Sequence, residues 1–393
     1  MRPPSIQELY DYGSETLRIG TFNVKIGGNT RADDPVVIET VAGIVAGNDI
    51  TTLTEVTNWG FVSAVLSVLN DKWNLDYRSK FVAIDGDKED GATIYNNRTV
   101  EYKDTILNED FAADRQKKIY KDKFLRVPPT TYFQAKTPEG FEPRHLGEWS
   151  GGLTACHLSY SRPGPELITL NDLLIPEVKA YALEQQLVAH PENVIPIGDF
   201  NVSWVYLPFG MQTLQAIPKH GVDTTQHSDE IDLDTQPFDR IILDAQYNDV
   251  RSGGVDTFLY YTSLFNAARR NRTPLGKIAG VLQEELNRNF EAGIYHPATI
   301  YQSLKKVAGK HGYPLSASMR LFDHLPVSVE VYKFLNYTSA ELQEFPLLFN
   351  ITQGINKDIF RQAFGRGFDQ NPDAYPWLRD YLQHEHRNVF HRS

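Results

Sequence analysis

Short strand-like apolar runs recur along this chain, and several of them end on a polar or ionisable side chain. The run Leu17–Val24 comes first, a helical pattern follows over Pro35–Ala46, and the run Asp49–Leu53 leads directly into Glu55. Apolar runs of about four to eight residues bounded by turn signals are typical of buried strands, whereas longer apolar periodicity is typical of helices. The order strand, helix, strand therefore predicts an α/β fold with polar side chains gathered where strands end.

The same pattern continues farther along the chain. The buried-strand run Asn193–Ile197 breaks at Gly198 and presents Asp199 and Asn201 on the following turn. Glycine permits a sharp turn, and two polar residues two positions apart can face one ligand. The other predicted strands are Tyr77–Ala83, Ala92–Tyr95, Thr130–Ala135, Gly152–Leu158, Phe238–Leu243 and Leu325–Val331, with an amphipathic helix predicted over Leu173–Ala189.

Two stretches of the chain are predicted to be mainly helical. One is a basic insertion of about residues 251–318, which includes the helical patterns Leu275–Phe290 and Ala298–Lys310. The other is the tail beyond Thr338, which is punctuated by glycine and proline. We therefore expect an N-terminal arm (1–16), a catalytic domain (17–335) that carries the insertion, and a helical C-terminal extension (336–393).

Composition is that of a globular protein, with 41% hydrophobic and 23% charged residues among 393. No uninterrupted apolar run is long enough to span a bilayer, so we expect a soluble protein without a membrane partner. The first residues lack the apolar stretch of a secretory signal, which favours a cytoplasmic location unless a leader has been removed.

The single cysteine, Cys156, cannot form an internal disulfide, and its apolar surroundings favour a packed small residue over a nucleophile.

Charge is unevenly distributed. The formal net charge is −11, but residues 251–312 contain nine Lys/Arg against four Asp/Glu, a local balance of +5 that leaves −16 for the rest. A polyanion such as nucleic acid would have to approach this local basic surface. Such runs are also common as plain solvated faces, so both interpretations stay open. The candidate nucleic-acid patch consists of Arg269, Arg270, Arg272, Lys277, Lys305 and Lys306, with Lys310 beside the last two.

The polar residues at the strand ends match the needs of phosphodiester hydrolysis. This reaction requires a cation on the phosphoryl oxygens, an activated water and a proton for the leaving oxygen. Carboxylate and amide oxygens suit Mg²⁺, and histidines suit proton transfer. Taken singly, each candidate has an ordinary alternative: Glu55 as a solvated loop residue, His157 as a hydrogen-bonded core residue, and the pair Asp323-His324 as a helix cap or surface pair.

Six short motifs follow one another along the chain, namely Thr-Phe-Asn23-Val, Thr-Glu55-Val, His157-Leu-Ser, Gly-Asp199-Phe-Asn201, Phe-Asp239-Arg-Ile-Ile and Asp323-His324-Leu-Pro-Val. Taken in this order, they resemble the motifs of the endonuclease/exonuclease/phosphatase superfamily and, within it, are similar to those of deoxyribonuclease I. Two additional segments, Lys88-Glu89 and Phe124-Leu-Arg126, also fit deoxyribonuclease I. The likeness covers about residues 17–332 and leaves out the insertion and the tail.

The resemblance implies a four-layer αββα sandwich, two packed sheets flanked by helices, with the site at one rim. It implies that His324, oriented by Asp239, activates water and that His157, paired with Glu89, protonates the leaving oxygen. Which histidine is acid and which is base stays open, and in other superfamily members the residue matching Asp199 is favoured as the base. Around Mg²⁺, for which Mn²⁺ could substitute, the resemblance implies Glu55, Asn23, Asp199, Asn201 and Asp323, and it implies phosphate contacts from Arg126, Asn201 and Tyr206.

We therefore expect a Mg²⁺-dependent nuclease, most simply a DNA endonuclease. A phosphoesterase for small-molecule or lipid phosphates is the alternative, and a non-enzymatic binding scaffold is a third hypothesis. Thr57 and Asp87 stand where deoxyribonuclease I has an arginine and a tyrosine that face DNA, so the chemistry transfers better than the mode of duplex binding. The segment Asp223-Thr224-Thr225 resembles a structural calcium loop, with a plain turn as the alternative.

Overall fold

A computed structural model describes residues 16–82, 90–107, 123–136, 148–161, 163–201, 214–217, 238–244, 247–248, 250–313, 322 and 324–333. The predicted C-terminal extension and all but the last residue of the predicted N-terminal arm lie outside these ranges, so both stay predictions. Among the described residues, no helix is both long enough and apolar enough to cross a membrane.

The strands and helices are numbered in chain order. The strands are β1 (Thr16–Gly27), β2 (Ile50–Val56), β3 (Tyr77–Val82), β4 (Asp90–Asn96), β5 (Val100–Ile106), β6 (Thr130–Ala135), β7 (Ser150–His157), β8 (Val194–Asp199), β9 (Leu214–Ile217), β10 (Asp239–Asp244), β11 (Val250–Val255) and β12 (Val327–Tyr332). The helices are α1 (Asn29–Ala32), α2 (Pro35–Ala46), α3 (Trp59–Ser67), α4 (Pro163–Thr169), α5 (Ile175–Glu184), α6 (Thr257–Arg270), α7 (Pro274–Glu291) and α8 (Pro297–Lys310). Single π-helical turns extend α3 over Val68–Lys72 and join α4 to α5 over Leu170–Leu174.

The strands form two mixed sheets of six strands each. The first has the order β11-β12-β1-β2-β4-β3, and the second has the order β5-β6-β7-β8-β10-β9. Each sheet contains one parallel pair near its centre, β1 with β2 and β7 with β8, and the connection within each pair carries helices. All other pairings are antiparallel. The parallel pairs matter for the site because their carboxyl ends point to the same side of the molecule.

The sheets pack face to face through alternate residues of their central strands. Leu17 and Ile19 of β1 contribute to the core between the sheets, together with Ile195 and Ile197 of β8. This period of two is what a pleated strand imposes. The next residues along β1 that bury an apolar side chain, Phe22 and Val24, belong to a different core on the outer face of the first sheet. Each central strand of the first sheet is therefore buried on both faces.

Helices cover both outer faces. On the first sheet the outer core includes residues of α2, α3, α6, α7 and α8, and on the second sheet α5 lies against β8. The four-layer αββα sandwich predicted from the sequence is confirmed. Helices α7 and α8 match the two helical patterns predicted in the basic insertion. These helices and α6 pack against the rest of the outer layer, and β11 at the start of the insertion is an edge strand of the first sheet.

One predicted helix boundary is wrong. The sequence pattern predicts a helix over Leu173–Ala189, whereas the helical segment begins at Pro163 and α5 ends at Glu184. Gln186, two residues beyond α5, has a φ of 51°. A residue in the left-handed region cannot continue a right-handed helix, so the chain turns here toward β8.

A buried ion-pair network joins α2 to α6. Glu39 of α2 is buried, and its carboxylate binds Lys72 at the end of the π-helical turn after α3 and Arg270 at the end of α6. Arg270 also lies 5.0 Å from the ring centroid of Trp73. Burial raises the pKa of Glu39, but the hydrogen bonds and charges of Lys72 and Arg270 outweigh it, and the pKa lies below its usual value.

This network predicts a pH-dependent contribution to stability. Because the pKa of Glu39 is lower in the folded state, its stabilising effect is present above the unfolded-state pKa of about 4.3 and is lost as pH falls through the folded-state value. We expect Glu39→Gln to lower the free energy of unfolding at pH 7 by about 2 kcal/mol, the scale of a hydrogen bond to a charged group. Urea unfolding at pH 7 and in the acid range measures the difference, which should shrink on acidification. A loss that is the same at both pH values, or that exposed Glu184→Gln reproduces, contradicts the assignment.

Candidate active site

The carboxyl ends of four strands meet at one rim of the sandwich. In the first sheet Asn23 of β1 pairs with the residue that precedes Glu55 of β2, and in the second sheet His157 of β7 pairs with Asp199 of β8. The antiparallel strand β10 begins at the same level, because Asp239 pairs with Asp199. Polar residues that are far apart in the sequence therefore gather at one edge.

The backbone at this rim adopts conformations that most side chains avoid. Glu55 has a φ of 57° and Asn201 has a φ of 50°, both in the left-handed region. This region costs a residue with a side chain roughly 1–2 kcal/mol and is concentrated at functional sites. Gly198 has a φ of 134°, and a Cβ atom there would lie 2.1 Å from the carbonyl oxygen of Cys156. Only glycine fits before Asp199.

Asn23 links the carboxylates of the two sheets. Its Nδ2 donates to Glu55 Oε1 at 2.8 Å and to Asp199 Oδ2 at 3.1 Å. The backbone N–H of Lys25 donates to Asn23 Oδ1 at 2.9 Å and so fixes the amide. One side chain from the first sheet thus holds an acidic oxygen from each sheet.

The loop after β8 is tied to the end of β7. The backbone N–H of Asn201 donates to Asp199 Oδ1 at 2.9 Å, and Asn201 Nδ2 donates to the carbonyl oxygen of Leu158 at 2.8 Å. The N–H of Leu158 donates in turn to the carbonyl oxygen of Asp199 at 2.9 Å. This ring of hydrogen bonds fixes Asp199 relative to the histidine that precedes Leu158.

Two imidazoles flank the Asp199 carboxylate. His324 Nδ1 lies 2.6 Å from Asp239 Oδ2, and its Nε2 lies 4.0 Å from Asp199 Oδ2. His157 Nε2 lies 4.0 Å from the same Asp199 oxygen and 3.7 Å from Glu55 Oε1. An imidazole that donates from Nδ1 to a carboxylate presents its Nε2 as the basic nitrogen. The arrangement can hold and transfer protons on two sides of one carboxylate oxygen.

The site concentrates negative charge in a buried place. Burial raises the pKa of Asp199, and the neighbouring Asp239 raises it further, while His324 and His157 act in the opposite direction. Arg240 is fully buried beside these carboxylates, and burial lowers its pKa to about 9 although Asp199 and Asp239 oppose this change. A guanidinium with that pKa is still mainly protonated near neutral pH and offsets part of the acidic charge.

The donor set fits a divalent cation. The carboxylates of Glu55 and Asp199 are hard oxygen donors of the kind that Mg²⁺ and Mn²⁺ prefer. Asn23, also a predicted ligand, directs its Nδ2 rather than its Oδ1 toward these carboxylates and so positions them. The raised pKa of buried Asp199 is also what a cation would reverse. Among the described residues, potential ligand atoms lie within 4.8 Å of one another in two groups, Glu55 with His157 and Asp199, and Asp199 with Asp239 and His324. The first group fits better because Asp239 is already bound to His324.

A buried carboxylate joins the loop of Arg126 to the end of β7. Glu166 at the start of α4 accepts from the backbone N–H of Leu125 at 2.9 Å and from that of Ser159 at 2.7 Å. Leu125 precedes Arg126, and Ser159 lies two residues after His157. The structure thus brings Arg126, a predicted phosphate contact, to the segment that leaves the site.

Some predicted residues lie outside the described part of the chain. Glu89, the predicted partner of His157, is among them, as are Tyr206, Asp323 and the predicted calcium segment that begins at Asp223. Their roles stay predictions. Asn23, Glu55, His157, Asp199, Asn201, Asp239 and His324 are described and lie together at the rim.

The predicted nucleic-acid patch is spread over three helices. Arg269 and Arg270 end α6, Lys277 lies in the first turns of α7, and Lys305 and Lys306 lie on α8. Arg272 occupies the turn between α6 and α7 and is exposed. Arg270 differs from its neighbours because its charge is engaged by buried Glu39.

Sequence reasoning missed two buried charged residues near the site, Glu166 and Arg240. Both carried a signal. Arg240 stands within the apolar strand Phe238–Leu243, where an unpaired charge would be costly, and Glu166 follows Pro-Gly-Pro at a helix start. Neither signal shows that the side chain is buried, which depends on the packing of distant segments.

No family model matches the chain. Human "Deoxyribonuclease-1-like 2" is 25% identical over 206 residues, which is 50% of this chain and 65% of that protein, so the match spans less than two thirds of the relative. Among solved structures, "ANGEL2, a 2',3'-cyclic phosphatase" is 13% identical with a TM-score of 0.48 over 80% of this chain and 95% of its own. The endonuclease/exonuclease/phosphatase from Bacteroides vulgatus is 15% identical with a TM-score of 0.43 over 80% and 98%.

The fold and the rim site define an α/β-sandwich protein with paired carboxylates and imidazoles at the strand ends. The resemblance of this chain to the endonuclease/exonuclease/phosphatase superfamily is confirmed, and its two mixed sheets flanked by helices are consistent with a DNase I-like fold.

Proposed function

We propose that this protein is a divalent-metal-dependent phosphodiester hydrolase that acts on DNA as an endonuclease. The observation that carries the proposal is the surroundings of Asp199 Oδ2, which lies 3.1 Å from Asn23 Nδ2 and 4.0 Å from Nε2 of both His157 and His324. An acidic oxygen between two proton-carrying rings is suited to a reaction that moves a proton at each end of one bond.

The metal site of the proposal consists of the Glu55 and Asp199 carboxylates, which Asn23 positions through its Nδ2, with Asn201 and Asp323 as the further predicted ligands. A bound Mg²⁺ or Mn²⁺ supplies electrophilic stabilisation of the phosphoryl oxygens. The strained backbone at Glu55 and Asn201 supports this assignment, because such strain persists where a function selects it.

Proton transfer falls to the two histidines. In the proposal His324 donates a hydrogen bond from its Nδ1–H to Asp239. Its Nε2 then accepts a proton from water. His157 gives a proton to the leaving oxygen, and the carboxylates of Glu55 and Asp199 stabilise the positive charge that His157 carries before the transfer. Arg126, together with Asn201 and Tyr206, binds the phosphate of the substrate.

A single panel of substrates tests the proposal. Supercoiled plasmid, linear duplex, single-stranded DNA and RNA are incubated with the protein and Mg²⁺, with EDTA as the metal-free control and Asp199→Ala as the matched variant. We expect nicking of the plasmid by the wild type with Mg²⁺ and none in either control.

Other outcomes separate the alternatives. Release of phosphate or phosphocholine from small-molecule or lipid phosphoesters, without nucleic-acid cleavage, contradicts the nuclease assignment and supports a phosphoesterase. An intact fold that hydrolyses no phosphoester with any divalent metal contradicts the enzymatic assignment altogether.

A further inference from the structure

Two exposed aromatic side chains follow the strand ends that supply the site, one in each sheet. Trp59 is 49% exposed and comes four residues after Glu55 of β2, and Tyr160 is 71% exposed and comes three residues after His157 of β7. Large aromatic side chains usually bury most of their surface. Solvent-exposed rings that follow the reactive residues of both sheets therefore require an explanation.

Trp59 is held rigidly beside the first sheet. The backbone N–H of Thr57 donates to the carbonyl oxygen of Gly27 at 2.9 Å, which ties this turn to the end of β1. Asn58 caps α3 by accepting from the N–H of Phe61 at 3.1 Å. The indole meets the ring of Phe81 edge-on, with the centroids 6.0 Å apart. The Trp59 ring is thereby packed against Phe81 on one side, while about half of its surface stays in solvent.

The backbone that precedes Tyr160 is fixed beside the second sheet. Its predecessor Ser159 is buried and donates its backbone N–H to Glu166 at 2.7 Å. The same carboxylate accepts from the backbone N–H of Leu125, which precedes Arg126. Glu166 therefore connects the segment of exposed Tyr160 to the segment of the predicted phosphate contact.

We propose that Trp59 and Tyr160 are stacking platforms for unpaired bases on the two sides of the scissile phosphate, so that single-stranded DNA is the preferred substrate. The inference rests on the proposed function, whose site includes Glu55 and His157, the residues that the two rings follow in the chain. Every base offers a π-face, so an aromatic platform binds unpaired strands with little dependence on sequence. Bases in a duplex are stacked on one another and cannot reach such platforms without being flipped out.

The surrounding charge favours a nucleic-acid strand over an apolar partner. Lys25 is exposed near the end of β1, and Glu166 binds the backbone on the N-terminal side of both Arg126 and Tyr160. Two separate rings with cations near them suit alternating bases and phosphates, whereas a lipid surface would require one continuous apolar patch.

Steady-state cleavage of a short oligothymidylate and of a hairpin duplex tests the proposal. We expect Trp59→Ala and Tyr160→Ala each to raise KM for the oligothymidylate about tenfold, with a smaller change in kcat and less than about a threefold change in KM for the duplex. Trp59→Phe and Tyr160→Phe keep a stacking ring and should restore most of the KM. The matched control is Tyr295→Ala, because Tyr295 is 62% exposed but packs on Phe290, which lies against Phe258 at the start of α6.

Each contrary outcome has a defined meaning. If the alanine variants leave KM for the oligothymidylate unchanged, or raise KM equally for strand and duplex, the platforms are refuted. If Tyr295→Ala has the same effect, the loss is not specific to the rim and the inference also fails. Hydrolysis of bis(p-nitrophenyl) phosphate by the wild type with Mg²⁺ tests the proposed function separately, since that diester has no bases to stack.

Discussion

Replacement of Asp199 by asparagine should reduce kcat for phosphodiester hydrolysis by about 10³-fold or more while leaving the fold intact. We expect this loss because the substitution removes the negative charge that lies near both histidines and that would bind the proposed metal ion. A metal ion stabilises the transition state by several kcal/mol, and each ~1.4 kcal/mol changes the rate about tenfold. Asparagine keeps an oxygen that can accept from the backbone N–H of Asn201.

We also predict the effect of Asp199→Asn on the free energy of unfolding. Because burial and Asp239 raise the pKa of Asp199, its ionisation at neutral pH opposes folding when no metal is bound. We therefore expect Asp199→Asn to keep or increase the free energy of unfolding in EDTA, measured by urea denaturation. A variant that unfolds more easily and still cleaves DNA contradicts both assignments. Exposed Asp172→Asn is the control and should change neither quantity.

The second large effect is expected at the pair His324 and Asp239. His324→Ala should lower kcat by at least ~10²-fold, the lower end of general acid–base contributions, and His157→Ala should do the same. Asp239→Asn should also lower kcat strongly with little change in KM, because the 2.6 Å contact that orients the His324 ring is changed.

A double-substitution cycle tests whether His324 and Asp239 act together. If Asp239 works through His324, the combined variant should be no slower than His324→Ala alone, since residues that act as a unit are not additive. Additive losses show that Asp239 has a separate role. His311→Ala, at the exposed end of α8, is the control, and near-normal turnover of both His157→Ala and His324→Ala would overturn the assignment.

Much of the fold follows from local patterns in the sequence. The apolar runs of β1, β2, β6, β8 and β12 are buried on at least one face, and period and turn residues mark such strands clearly. The edge strand β5 was not predicted, because its sequence Val-Glu-Tyr-Lys-Asp-Thr-Ile carries charges that suit the border of a sheet. Helix α6 lies within the insertion that was predicted to be mainly helical, but its bounds were not predicted. Its buried face is formed largely by tyrosine, phenylalanine and alanine, and only packing on α2 shows it.

In the site, too, local sequence patterns predict some features, and others depend on how distant segments pack. Asn23, Glu55 and Asp199 could be predicted because each ends an apolar strand, and parallel strands bring their carboxyl ends together. The hydrogen bond from Asn23 to Asp199 could not be predicted, because it crosses between sheets and depends on how they pack. The role of Trp59 was also hidden, since an exposed aromatic looks the same in sequence as a buried one.

The last described strand, β12, lies inside the first sheet, between β11 and β1. β12 pairs with β1, and His324 stands just before β12, so the two ends of the described region are neighbours in space. A chain still emerging from the ribosome has Asn23, Glu55, His157 and Asp199 long before it has His324. Under the proposed function, the nascent polypeptide therefore lacks a complete active site until nearly all of the described region has been translated.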